Sequence, residues 1–298
     1  MEIILEKAEG TGSDRGLRCL IKGEKVIMRR THDLRLNHLK VDLSSFRIEP
    51  GIVSYVPQIN EGMSPTSFKQ EQASLIKHGV TTVVITAEVR RERELERAGK
   101  IARHRMVNSS LDYVIGVSVP LKTLTPSFIR NCRKNAIPFI QVCIHSHDEI
   151  NSAKWGWIKQ ALYPNPPALY PHFKNIPSKR GRIRIEKEWD KQMDDHGING
   201  KLRLQEGPLR KPVLKQIGIY PHKGELIQQA DLDYNLYYTG DPVKNGADGA
   251  SEADIPDSVS PDVTYLRGVM LRAGQDVRLR PGYGKELTIR LPGYFASY

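Results

Sequence analysis

The chain has three cysteines in 298 residues, Cys19, Cys132 and Cys143, and no two are close in sequence. An odd, widely spaced set excludes a disulfide framework and a CxxC metal site and suits the cytoplasm. No run approaches the ~18 apolar residues of a membrane-spanning helix. MEIILEKAEG lacks a basic start followed by a long apolar core, so no secretory signal is expected. Walker A, GxGxxG, GxSxG and HExxH motifs are all absent, which removes the commonest signatures of nucleotide binding, serine hydrolysis and zinc-protease chemistry. Nor is there a repeat of about 20–50 residues, which sets solenoids and propellers aside.

Positive charge is plentiful. The net charge is +11, and Lys and Arg crowd the stretch from Lys174 to Lys215, while Asp241 to Asp262 is acidic. A basic excess favours anionic partners in general. Here the basic stretch is interleaved with Glu186, Glu188, Asp190, Asp194 and Asp195, and it lacks an aromatic-plus-basic recognition motif. Solvated loops explain it better than nucleic-acid binding, which is kept as a third reading.

Residues 1 to 50 read as short strands. MEIILEKAE precedes a turn over Gly10–Gly16, and LRCLIKG with EKVIMRR forms a hairpin around Gly23–Glu24. From Gly51 the pattern changes. Gly51–Gln58 is a mostly apolar run of the kind buried in parallel sheets. Ser64-Pro65 supplies an N-cap and a first-turn proline for a helix that stops at Gly79. Val80–Thr86 is β-branched almost throughout and favours a strand.

The alternation continues. Glu88–Val107 reads as a charged helix with Leu95, Ala98, Ile101, Ala102 and Met106 on its apolar face. Tyr113–Pro120 and Pro138–His145 read as strands. Thr125-Pro126 starts a helix between them. Ser146 with Glu149 fits a capping box for a fourth helix, in which Trp157 joins the apolar stripe and Trp155 lies off it. Four strands alternating with four helices predict a parallel sheet with helical crossovers, too few units to close an eight-stranded barrel.

After Leu162 the alternation stops. YPNPPALYPHFKNIPSKRGRIR reads as a proline-rich, basic linker or wrapping loop. EKEWDKQMDDHG suggests a short helix ending at Gly197. The remainder, including VLKQIGIY and DYNLYYT, reads as β-rich.

Four segments resemble the amidohydrolase superfamily, especially its dihydroorotase-like branch. Ile48-Glu49-Pro50-Gly51 is similar to the "PG" turn entering that family's first barrel strand. His78-Gly79-Val80-Thr81-Thr82-Val83 is similar to its "GGVTTV" entry to strand two. Ile217–Gly224 followed by Ala230-Asp231-Leu232-Asp233 looks like the return to its β-sandwich. Leu266–Gly274 looks like its closing hairpin.

The resemblance implies an α/β chain: a partial (β/α) barrel of about four βα units plus a composite β-sandwich built from both chain ends. Residues 1–50 would give the first part of the sandwich, 51–162 the half-barrel, 163–200 a connector and 201–298 the rest of the sandwich. It also implies hydrolysis of cyclic amide C–N bonds by metal-activated water. The family's strand-one "D-x-H-x-H" falls on Ser54, Tyr55, Val56, Pro57 and Gln58, so both histidines are missing. Strand four reads Phe139-Ile140-Gln141-Val142-Cys143, without the expected lysine.

The expectation is therefore a shortened, non-catalytic relative that acts through ligand or partner binding, with no cofactor, and that forms a homodimer. Gln58, Gln141, His145 and His147 are its candidate ligand-binding residues. Residues two apart on a strand face the same way. A relocated zinc or manganese site would therefore draw on His145, His147 and Asp148, and would make the chain a cyclic-amide hydrolase. A helix-capping turn around Ser146 explains the same residues without a metal.

Overall fold

The computed structural model describes residues 2–7, 17–30, 38–59, 62–174, 176, 178–240, 260–289 and 292. In chain order, β1 (Glu2–Lys7), β2 (Leu17–Lys22), β3 (Lys25–Arg30) and β4 (Leu39–Asp42) form a four-stranded sheet in the order β3-β2-β1-β4. The turn expected over Gly10–Gly16 lies outside the described residues. Next come β5 (Phe46–Pro50), β6 (Ile52–Tyr55), α1 (Pro65–Lys77), β7 (Val80–Glu88), α2 (Leu95–Met106), β8 (Asp112–Pro120), α3 (Pro126–Lys134) and β9 (Phe139–Ile144). They are followed by α4 (His147–Ser152), α5 (Trp155–Leu162), β10 (Ala168–Phe173) and α6 (Lys179–His196). The described chain closes with β11 (Gly207–Pro208), α7 (Lys211–Ile217), β12 (Tyr234–Tyr238), β13 (Val263–Leu266), β14 (Val269–Ala273) and β15 (Asp276–Val277).

The chain divides into two compact units. One comprises Met1–Val53, Pro65–Thr82 and Pro221–Arg280. Its four-stranded sheet comes from residues 2–42, whereas a five-stranded sheet, β15-β14-β13-β12-β5, joins strands from both halves of the sequence. Leu5, Cys19, Ile21 and Val26 from the N-terminal strands share a core with Leu226, Leu232, Tyr234 and Leu236. Burying such side chains is worth about 1.5–3 kcal/mol each, which holds together segments some 200 residues apart in sequence.

The other unit comprises Ser54–Ser64, Val83–Tyr220 and Pro281–Tyr298. Its sheet is a curled half-barrel of six strands in the order β10-β9-β8-β7-β6-β11. β8, β9 and β10 pair in parallel, and β11 runs antiparallel to β6. Val114, Val117, Val119, Ile140, Val142 and Ile144 are all fully buried, which is why β8 and β9 read as continuous apolar runs. Gly116 lets β8 approach its neighbour, because a Cβ there would collide with the Phe139 ring.

The structure departs from the sequence expectations in four places. The segment read as a wrapping loop contains β10, a fifth strand, and is followed by the 18-residue helix α6. Pro171 hid this strand. Proline removes a ladder donor, which an edge strand tolerates, and among the described residues β10 has β9 as its one neighbour in the sheet.

VLKQIGIY is not a strand. Residues Lys211–Ile217 form α7, with Pro212 in its first turn and Gly218 left-handed at its end (φ 93°). The helix expected from Glu88 starts only at Leu95, because β7 runs on to Glu88 and a 3-10 turn over Glu92–Glu94 intervenes.

The fourth helix is two helices. The chain is extended at Ala153 between α4 and α5, which resets the helical phase. Trp155 is buried, donates to the Ile150 carbonyl at 2.9 Å and packs edge-on against Trp189, whereas Trp157 is 65% exposed. The expected roles of the two tryptophans are thus reversed.

Candidate functional site

A cavity of about 680 Å³ opens beside the C-terminal ends of the half-barrel strands. Tyr55 ends β6, Thr86, Ala87 and Glu88 end β7, and Ser118, Gln141 and His172 come from β8, β9 and β10. Ligand sites of open α/β sheets commonly lie at this end. One wall is α2, which presents Arg97, Ala98, Ile101, Ala102 and Arg105, residues at helical spacing on a single face. Arg90 and Glu94, from the turn before α2, and Lys174, just after β10, also line it.

Gln141 is the key side chain. It is 2% exposed in the middle of an otherwise apolar strand and stands level with Ser118 of β8 and Tyr170 of β10. The Tyr55 hydroxyl donates to Gln141 Oε1 at 3.1 Å. Gln141 Nε2 is buried and has no hydrogen-bond partner among the described residues. A buried amide left half-satisfied costs roughly 1–3 kcal/mol.

Electrostatics sort the rest of the lining. Burial pushes the Tyr55 phenol up, against the hydrogen bonds with Thr86 and Gln141 that pull it down. Burial is also the main cause that holds His172 below the ordinary histidine value, followed by Lys174, Arg182 and His145. His172 therefore sits neutral at pH 7, available as a hydrogen-bonding ring. Cys143 Sγ lies 3.2 Å from Ser118 Oγ.

The other sequence candidates are not brought to this cavity. Gln58 is half-buried in the turn after β6 and does not line it. Ser146 caps α4 by accepting from the Glu149 N–H at 3.3 Å, and Glu149 Oε2 accepts from the His145 N–H at 2.9 Å. The imidazoles diverge from there. His145 Nδ1 lies 3.7 Å from Glu149 Oε1, while His147 meets Asn151 at 2.9 Å and Glu188 at 3.7 Å. Asp148 points fully into solvent.

Among the described residues no group of three or more His, Cys, Asp or Glu side chains could hold a metal ion. A catalytic zinc takes about three protein ligands, mainly imidazole, thiolate or carboxylate. The strand ends instead carry Tyr55, Thr86, Ser118 and Gln141, with a single imidazole from His172 and a single carboxylate from Glu88. This donor set falls short of three such ligands.

The fold is similar to that of solved dihydropyrimidinase and D-hydantoinase structures. The structure is similar to that of a dihydropyrimidinase from Brevibacillus agri NCHU1002, with a TM-score of 0.59 at 10% identity, covering 97% of this chain and 99% of that one. It is similar to a D-hydantoinase (dihydropyrimidinase) from Thermus sp., with a TM-score of 0.57 at 11% identity, covering 98% and 100%. A prolidase complexed with N-methylphosphonate-L-proline matches with a TM-score of 0.50 at 9% identity, covering 92% and 100%. At such identities the likeness shows the fold alone. No protein-family model matches the chain, and no curated protein matches it in sequence.

Of the residues that line the cavity, sequence reasoning had singled out Gln141 as a candidate, and not Tyr55, Thr86, Ser118, His172 or the α2 arginines. For the strand residues the signal was available: a lone polar residue in a fully buried strand needs a partner or a purpose. For α2 it was not. Ala98, Ile101 and Ala102 form an apolar stripe whether it faces a core or a cavity.

Proposed function

We propose that the chain is a non-catalytic, amidohydrolase-like protein that binds a small molecule in the cavity at the strand ends. The observation that carries this reading is Gln141, a buried side chain of the cavity lining, held by Tyr55 and with its amide nitrogen unpartnered among the described residues. The cavity is of ligand size, since small-molecule pockets run to about 300–1,000 Å³. Its lining has hydrogen-bond donors and a neutral ring, but no ligand set for the metal that activates water in hydrolytic relatives of this fold.

The test is turnover against binding. Purified chain is incubated with hydantoin, dihydroorotate and allantoin, with and without zinc or manganese, and small-molecule binding is followed by thermal shift. The reading expects no turnover above background and saturable binding without added metal. Metal-dependent hydrolysis that disappears in His147→Ala would replace it with the relocated-site hydrolase. The same proposal includes a homodimer, and a monomer by light scattering at micromolar concentration would count against that part.

A further inference from the structure

We infer that the outward face of α6 is a docking surface for the phosphate backbone of a nucleic-acid duplex. Its residues do not line the cavity at the strand ends, and the inference is independent of what that cavity binds.

The basic stretch that reads as solvated loops in the sequence has an 18-residue helix at its centre, Lys179–His196. Ile185, Trp189 and Met193 recur every fourth residue and are buried. The Trp189 indole donates to the Gly200 carbonyl at 2.8 Å, and its ring packs edge-on against Trp155. These contacts fix the rotation of the helix. At about 3.6 residues per turn, the face opposite this stripe carries Arg180, Arg184, Lys187 and Lys191. All four are exposed. They stand in single file over about 16 Å, at ~1.5 Å of rise per residue.

The acids that interleave this stretch do not neutralise the row. Glu186 pairs with Arg182 at 2.9 Å, and Asp190 pairs with Arg203 at 2.8 Å. Glu188 accepts from Gln192 at 3.0 Å and lies 3.7 Å from His147, while Asp194 pairs with Lys201. Exposed Asp195 marks the end of the row, one turn beyond Lys191. Among the described residues, none of the four row side chains makes an ion pair or a hydrogen bond. Like charges three or four residues apart weaken a helix, so the row carries a repulsion that an aligned polyanion relieves.

The chemistry of the partner follows from the shape of the row. The apolar face of α6 is already buried in the protein, so the helix has none to sink into a lipid interface. Cations in single file match one phosphate strand, with a charge every ~3.4 Å of rise, better than a flat headgroup surface. No aromatic ring stands in the row for unpaired bases to stack on, which favours a duplex over single strands and makes the contact independent of base sequence.

The experiment is fluorescence anisotropy of two unrelated DNA duplexes of about 24 base pairs, titrated with the full chain in EDTA-containing buffer at salt from about 50 to 200 mM. Four phosphate contacts predict a slope of log affinity on log salt of about −3.6, the same for both duplexes. Arg184→Gln and Lys187→Gln should each reduce that slope by about one. Replacing Arg180, Arg184, Lys187 and Lys191 together by Gln should lower affinity at least tenfold. Replacing Lys100, Lys122, Arg130 and Lys134 by Gln removes as many exposed cations from elsewhere on the same unit and should leave affinity nearly unchanged. All eight side chains are exposed, so melting of both variants should match the parent. Equal weakening by the two fourfold variants would show attraction by overall charge alone and overturn the assignment. Absence of duplex binding at about 50 mM salt would also overturn it. Capture by phosphatidylserine vesicles in its place, lost in the row variant, would assign the face to an anionic membrane instead.

Discussion

The Tyr55 hydroxyl sits 3.1 Å from Gln141 Oε1 and turns that amide so that its nitrogen, and not its oxygen, is left unmatched. The two residues come from strands β6 and β9, which are not neighbours in the sheet. Replacing Tyr55 by Phe leaves the amide oxygen buried without this donor. Urea unfolding of Tyr55→Phe should show a loss of about 1–2 kcal/mol, with an unchanged dependence on denaturant. A neutral substitution would mean that the pair does not hold the amide.

A second buried polar contact belongs to the unit that holds the four- and five-stranded sheets. Lys223 Nζ, 0% exposed, is 2.7 Å from Asp233 Oδ2 and 2.9 Å from Asp231 Oδ2. The second Asp233 oxygen accepts from the Arg267 N–H at 2.8 Å. Removing the ammonium strands carboxylates in the interior. Lys223→Met should cost about 3–5 kcal/mol, read from denaturant midpoints. A loss below 1 kcal/mol would show that water reaches these carboxylates.

The thiols should be quiet. Burial pushes the Cys19 thiol from its ordinary value near 9 up to about 11, and burial, with Glu92, pushes Cys132 up further. A disulfide reagent at pH 8 should label both slowly in the native protein and at once in guanidinium. The folded thiols keep their protons after the unfolded ones have ionised. Their contribution to stability is therefore complete below pH 9 and is lost as pH rises from 9 through the folded value, at about 1.4 kcal/mol per pH unit for each thiol. Stability that rises between pH 9 and 11 would contradict this burial.

His172 shifts the other way. Its folded value lies below the ordinary 6.5, so the unfolded chain takes up a proton first as the solution is acidified. Its contribution is present above pH 6.5 and fades as pH falls through the folded value. NMR titration of the imidazole should place the His172 midpoint below 6.5. A midpoint above 6.5 would show that His172 is paired with an acid.

Much of the fold was legible in the sequence because its signals are local. Ser146 and Thr125 are caps, Gly79 and Gly197 are stops, and Val80–Thr86 is β-branched, and each of these forms as its chemistry dictates. β10 was hidden because Pro171 violates a rule that applies only to strands with neighbours on both sides. α7 was missed because VLKQI reads equally well as strand or helix when it is short, and Pro212 with Gly218 settled the choice. Trp155 and Trp157 exchanged roles through one extended residue, Ala153, which no periodicity could register. The site was least visible. Gln141 stands out in its strand, but Tyr55 and Arg97 gain their meaning from being brought to the same cavity, which is a property of the sheet and not of any motif.

The most direct measurement watches Gln141 itself. Its side-chain amide protons, assigned by NMR through Gln141→Glu, are followed during titration with hydantoin, dihydroorotate and allantoin in metal-free buffer. Binding at the strand ends predicts a saturable downfield shift of those protons as the nitrogen gains an acceptor, with the Tyr55 contact kept. Saturable binding that leaves the Gln141 amide unmoved while other signals shift would contradict it.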